Sequence, residues 1–340
     1  MRPLSILRLC KLATAICACL SLSLPAATAQ QPNPGSSPKL DSTKEQQSTE
    51  LTVVAGVPNS GEDWDSLSLA GSNLHPRKPV PGGTDHEPGY TRELLSVQWR
   101  LMDPIDLYVI RPEHVERPPV VLYLFSYPSE TDRFKNDAFC RRFTENGYAA
   151  VGFVSALTGH RYTFRPMRQW FISELQESLV TTVHDVQMIL NYLTTRGDLD
   201  MNRAGMFGIG SGATIAILAA SADPRIKAAQ ALDPWGDWSD WLAHSAMIPD
   251  SERPAYLKPE FQKRVAFLDP VQVLPKLKGR RVCIEDIMDD PFTPATSKQR
   301  IESAAPPSAK IIHFQDRNAL YKDSAENGGP FRWIKEQLRR

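Results

Sequence analysis

The stretch AGMFGIGSGATIAIL, residues 204–218, limits the possible folds more than any other part of the chain. A short apolar run leads into Gly208, Gly210 and Gly212 at alternate positions, and a run rich in Ala, Ile and Leu follows. The pattern reads as a buried strand, a sharp turn and a helix. Glycines at every second position mark a place where neighbouring backbones pass close together or the turn needs a positive φ.

The elements around this turn follow an order. ELLSVQWRL and IDLYVIRP read as two strands joined at Met102-Asp103-Pro104, which suits an antiparallel pair. PPVVLYLFSYP and YAAVGFVSA are continuous apolar runs, as expected of strands buried on both faces. Between them DAFCRRFTENGY reads as a helix stopped at Asn146-Gly147. A long helix is expected over 168–196, where Leu175, Leu179, Val183, Val186 and Leu190 recur at helical spacing. After the central turn come strands at IKAAQALDP, RRVCIEDIM and AKIIHFQ and a last helix near PFRWIKEQLRR. The expected class is α/β, a mostly parallel sheet of about eight strands, the first ones antiparallel, with helices on both faces. An insertion over 237–275, after the sixth strand, sits at the carboxyl edge of such a sheet as a lid. Its Trp238 and Trp241, with Trp235 just before it, either pin it to the body or form an aromatic wall for an apolar ligand.

The amino terminus differs in kind. Arg2, Arg8 and Lys11 precede an apolar run from Leu12 to Leu24, and Ala27-Thr28-Ala29 completes the pattern of a secretory signal peptide over 1–29. A secreted or periplasmic protein is expected, with no membrane span, because the run is shorter than the roughly 20 residues a crossing needs. Residues 30–60, rich in Gln, Pro and Ser, read as a disordered tether, and 61–91 as an irregular arm leading into a domain over 92–340. The 39 basic and 39 acidic residues balance, and loss of the signal leaves a slight acidic excess, so the charge gives no basis for a nucleic-acid partner. Cys140 and Cys283 remain and read as small buried hydrophobes. No Cys/His cluster has metal-ligand spacing, so neither metal nor cofactor is expected.

The strand order and the glycine turn resemble the α/β-hydrolase fold, in its secreted esterase, dienelactone-hydrolase and prolyl-oligopeptidase-like branches. In that fold G-x-S-x-G holds a nucleophilic serine at the turn, and an acid and a histidine follow along the chain. With Gly208 and Gly212 as the flanking glycines, the resemblance puts Gly210, which has no nucleophile, at the serine's position. Ser211 is the alternative nucleophile, but it would place Ile209 and Ala213 where small residues belong. The acid position falls on Asp290, before Pro291, with Asp289 as runner-up. Asp-Pro sequences also cap turns. The histidine position falls on Arg317 or Asn318, and a guanidinium cannot accept a proton from a hydroxyl. His313 comes too early and reads as a packed strand residue, while His160, after the fourth strand, would face the sheet's carboxyl edge. Where relatives carry His-Gly in the oxyanion loop, this chain has Ser126-Tyr127, and Tyr127 either donates its hydroxyl or fills space.

Three readings follow. The first is a non-catalytic or much weakened relative that keeps the body for binding an ester-like or apolar small molecule or for interaction. The second is an active esterase or peptidase using Ser211 as nucleophile, Asp290 as acid, and His160 or an unexpected group as base. The third is another chemistry using Asp233, Asp290 or Asp316 with Arg317.

Overall fold

The computed structural model describes residues 61–100, 103–157, 161, 171–327 and 331–339. The signal peptide, the tether and His160 lie outside the described residues. Nine strands form one sheet: β1 (Val80–Glu87), β2 (Tyr90–Arg100), β3 (Asp103–Pro112), β4 (Pro119–Leu124), β5 (Ala149–Phe153), β6 (Asp200–Ile209), β7 (Ile226–Leu232), β8 (Arg281–Ile287) and β9 (Lys310–Phe314). Their order across the sheet is β1-β2-β3-β5-β4-β6-β7-β8-β9. The first three and β5 pair antiparallel, and every pair from β5–β4 to β8–β9 is parallel.

Eight of these strands are the expected ones. The ninth, β1, corrects the irregular arm assigned to 61–91. Its sequence VPGGTDHE is almost wholly exposed, so no apolar pattern announces it. Backbone pairing with β2 holds it at the sheet edge, with a register shift between Pro81 and Gly83.

Ten α-helices accompany the sheet: α1 (Asp137–Thr144), α2 (Leu175–Thr194), α3 (Ser211–Ala222), α4 (Trp238–His244), α5 (Arg253–Tyr256), α6 (Pro259–Val265), α7 (Pro270–Val273), α8 (Ala295–Ala304), α9 (Arg317–Glu326) and α10 (Arg332–Arg339). The period of two along the strands sorts side chains between the two faces. Val120, Leu122 and Leu124 of β4 join a core with α2, α3 and the 235–277 segment, whereas Val121 and Tyr123 join a second core with α1 and α10. Cys140 and Cys283 are buried free thiols in that second core.

The insertion is built into the first core rather than laid over it. Trp235, Trp238 and Trp241 are buried, with Trp235 and Trp241 stacked at 5.1 Å. Asp269 accepts from the amides of Asp237 (2.8 Å), Trp238 (2.9 Å) and Val271 (3.0 Å). Ser297 Oγ donates to Asp240 at 2.8 Å, which ties α4 to α8.

A buried charge network locks the amino-terminal part of the described chain to the body. Asp185 of α2 accepts from Trp99 Nε1 (2.8 Å), Arg161 (2.8 Å) and Arg100. Arg100 also holds Glu62 through Nε and Nη2, at 2.6 and 2.7 Å, and Glu62 meets His184 Nδ1 at 2.7 Å. Burial alone would raise the Asp185 carboxyl, but Arg100 and Arg161 outweigh it and hold it below its usual range. Removing one partner of such a set strands the others without counter-charge. Asp185→Ala is expected to cost about 3–5 kcal/mol in chemical denaturation, and a loss under about 1 kcal/mol, the level of an exposed pair, would contradict this account.

Candidate active site

β6 ends at Ile209 and α3 begins at Ser211, so Gly210 is the apex of the turn. Its backbone sits at φ +55° and ψ −117°, a conformation that L-residues rarely enter. Its amide donates to Leu232 O at 2.9 Å, while its carbonyl accepts from Ala213 and Thr214 as the first bonds of α3.

Sterics hold the two flanking glycines in place. A Cβ on Gly208 would lie 2.0 Å from Gly212 O, and one on Gly212 would lie 1.8 Å from Leu124 O. Both contacts are with backbone and cannot relax by rotating a side chain. A Cβ on Gly210 would instead meet Ser126 Oγ at 2.6 Å and Trp235 Nε1 at 3.3 Å. The apex is thus bare backbone, with those two side chains over it. Ser211 points elsewhere: it is 1% exposed, and its Oγ accepts the Tyr127 amide hydrogen at 3.0 Å. That bond occupies the backbone donor of the loop after β4. The Tyr127 ring is part-buried against the first core.

Asp290, the residue expected at the acid position, lies in the loop after β8. Asp290 is buried, while its neighbour Asp289 is exposed. Its Oδ1 accepts from Phe292 N at 2.8 Å and its Oδ2 from Arg317 Nη2 at 2.5 Å. Arg317 is the first residue of α9, half exposed, with its guanidinium 5.9 Å from the Phe292 ring. The Asp290 carboxylate raises the guanidinium further above its ordinary value, against the opposing effect of burial. The structure therefore brings Asp290 and Arg317, the residues expected at the acid and histidine positions, together as a closed ion pair.

Two more charges complete the cluster. Asp233 follows β7 at φ +53°, and its Oδ1 lies 3.4 Å from the Lys298 ammonium of α8. Lys298 is 1% exposed and also donates to Ile287 O and, at 3.2 Å, to Asp290 O. Burial pushes the Asp233 carboxyl up to about 7, with Asp290 adding to the effect and Lys298 opposing it. Nothing in the sequence pattern marks Lys298 as a site residue, because a buried cation leaves no periodic signal.

The remaining candidates fall into other roles. Asp316 is the N-cap of α9 and accepts from Ala319 N at 2.7 Å. His313, expected as a packed strand residue, is half exposed and bonds Glu302 Oε1 at 2.8 Å, because β9 is the outer strand with α8 over one face. Neither of two surface clefts, of 530 Å³ beside Arg111 and 340 Å³ beside Glu62, includes Gly210 among its lining residues.

This sheet order, with a strand–glycine–helix turn at its centre and an acid in the loop after β8, decides the fold. The chain has the α/β-hydrolase fold. Its sequence matches the X-Pro dipeptidyl-peptidase (S15) family over residues 103–261, a span that includes the turn but ends before Asp290 and Arg317. Among solved structures it is similar to Acetyl Xylan Esterase 1 from Thermoanaerobacterium sp. JW/SL YS485, at 14% identity and a TM-score of 0.59, over 77% of this chain and 88% of that one. A cold-adapted esterase from an Arctic intertidal metagenomic library is similar at 11% identity and a TM-score of 0.53, over 77% and 100%. The 2,6-dihydroxy-pseudo-oxynicotine hydrolase follows at 17% identity and 0.52, over 73% and 67%. A search of curated proteins gives no match.

Two outcomes follow from this geometry. Gly212→Ala is expected to prevent folding, because the methyl overlaps a carbonyl, whereas Gly210→Ala should fold and lose about 1–3 kcal/mol from its backbone conformation. Solubility and thermal melting of the two variants check this order, and equal losses would contradict it. The second concerns pH. Asp233, facing Lys298, Asp290, Asp286 and Arg317, has a folded value near 7, above an unfolded one of roughly 4. Its contribution is therefore full below that lower value and is lost as pH rises through about 7. Asp233→Asn should flatten the fall in melting temperature between mildly acidic and mildly alkaline buffer, and an unchanged slope would contradict the assignment.

Proposed function

We propose that this chain is a hydrolase-fold protein without serine-hydrolase chemistry at its turn. In this reading it is a secreted binding or interaction relative of esterases and peptidases, exported by a cleaved signal peptide. The observation that carries the reading is the paired replacement at Gly210 and Arg317. The apex has no atom to attack a carbonyl, and the acid that would orient a histidine is neutralised by a permanent cation. The Tyr127 amide, one of the donors an oxyanion would use, is already bonded to Ser211. Gly210 stands for the lost nucleophile, Asp290 for the retained acid and Arg317 for the lost base.

The similarity to an acetyl xylan esterase and to a cold-adapted esterase favours a small ester or acyl compound as the ligand class, bound rather than cleaved. Among the described residues no helix is long and apolar enough to cross a membrane.

A second reading keeps Ser211 as nucleophile. It requires Ser211 Oγ to leave its buried bond to Tyr127 and to find an imidazole. The two readings part on one variant. If Ser211 is a structural acceptor, Ser211→Ala loses about 1–3 kcal/mol of stability, the cost of an orphaned buried amide. It should leave the release of p-nitrophenol from p-nitrophenyl acetate at the uncatalysed rate, as in the parent. Ester turnover by the parent that disappears in Ser211→Ala would overturn the proposal.

A further inference from the structure

On the face of β8 and β9 covered by α8, three ligand-type side chains converge that the sequence separates. Asp286 of β8 and His313 of β9 are register partners in the parallel ladder, so their side chains leave the sheet on the same face. The crossover between those strands is α8, which carries Glu302 over that face. His313 Nε2 lies 2.8 Å from Glu302 Oε1, and one ligand atom from each of the three residues lies within 4.8 Å of the others.

The second observation is what Asp286 lacks. It is 1% exposed, and neither of its carboxylate oxygens has a hydrogen-bond donor among the described residues, the one polar group that reaches it being the Glu302 carboxyl, with which it can share only a proton. Val282 and Ile284, which precede it in the same phase of β8, pack in the first core with Ile301 of α8. A buried, unpartnered carboxylate costs several kcal/mol unless a cation or proton meets it. Here the unsatisfied oxygens lie beside a second carboxylate and an imidazole. The rim is open, because the His313 side chain is 49% exposed and that of Glu302 21%, so an ion has a way in and water can complete its shell.

We propose that Asp286, Glu302 and His313 form a binding site for one divalent transition-metal ion of the Zn²⁺ class. Two carboxylates and one imidazole are the donor types that such an ion accepts, and an imidazole sets the site apart from the all-oxygen cages that Mg²⁺ and Ca²⁺ prefer. Bonds of about 2 Å to each donor need only a small adjustment of side chains already this close. The ion would clip β8, β9 and α8 together. Glu302 lies one helical turn beyond Lys298, so the clip adjoins the Asp233–Lys298–Asp290 cluster.

The test uses the full chain, stripped with EDTA and desalted, and titrated with ZnCl₂ in a calorimeter. A single equivalent should bind and raise the melting temperature. Asp286→Asn, which keeps the shape of the side chain, and His313→Ala should each weaken binding by about tenfold or more. His244→Ala, which removes the exposed imidazole paired with Asp240, should leave binding unchanged. Three results would overturn the proposal. They are no binding by the parent, meaning that Asp286 and Glu302 share only a proton; parental affinity in both ligand variants; or Mg²⁺ binding as tightly as Zn²⁺.

Discussion

The site depends on how closely α3 is pressed into the carboxyl ends of β4 and β6. The Gly212 backbone passes so near Leu124 O that a single methyl would overlap it, and Gly208 is equally constrained by Gly212. These contacts fix where α3 starts, force Gly210 into its positive-φ conformation, and turn Ser211 inward to the Tyr127 amide. The architecture of the turn is therefore set by packing, with bare backbone at its apex. Packing of α3 demands the flanking glycines, whereas at the apex it asks for a residue that tolerates a positive φ beside Ser126 and Trp235.

The same separation of scaffold from chemistry holds on the other side of the site. Asp290 keeps a buried place and a bond from a backbone amide, while Arg317 fills the role of partner. A cation at the first residue of α9 gains nothing from the helix dipole, which favours anions there. Arg317 is held by Asp290 instead. With Lys298 pairing Asp233 and bonding Asp290 O, two acids and two bases close on one another at the ends of β7 and β8. A closed set of this kind can hold loops in place, and its two cations pair the two carboxylates where an imidazole is absent.

How much was legible in the sequence depended on the physical source of each feature. α3 occupies the residues that the glycine spacing and the following aliphatic run delimit, β4 to β8 follow from apolar runs, and β2 and β3 from a pair of strand candidates joined at Met102-Asp103-Pro104. β1 was missed because its pairing is purely backbone and its side chains are exposed. α9 and α8 escaped for a related reason: α9 buries only Leu320, and two of the three residues that α8 buries, Ser297 and Lys298, are polar. His313 was read as packed because KIIHF looks apolar, whereas β9 lies at the sheet edge. Asp290 could be picked out from its Asp-Pro setting, but its ion pair with Arg317 joins residues 27 positions apart and only the fold reveals it. The cluster of Asp286, Glu302 and His313 is hidden in the same way, since its spacing follows the crossover through α8 and matches no short motif.

The most direct measurement of the central claim is the intact mass of the purified mature protein after incubation with an excess of a fluorophosphonate, which reports any activated serine whatever the natural ligand. A bare apex and a Ser211 hydroxyl bound to the Tyr127 amide predict an unchanged mass. A stoichiometric adduct mapped to Ser211 would contradict the account.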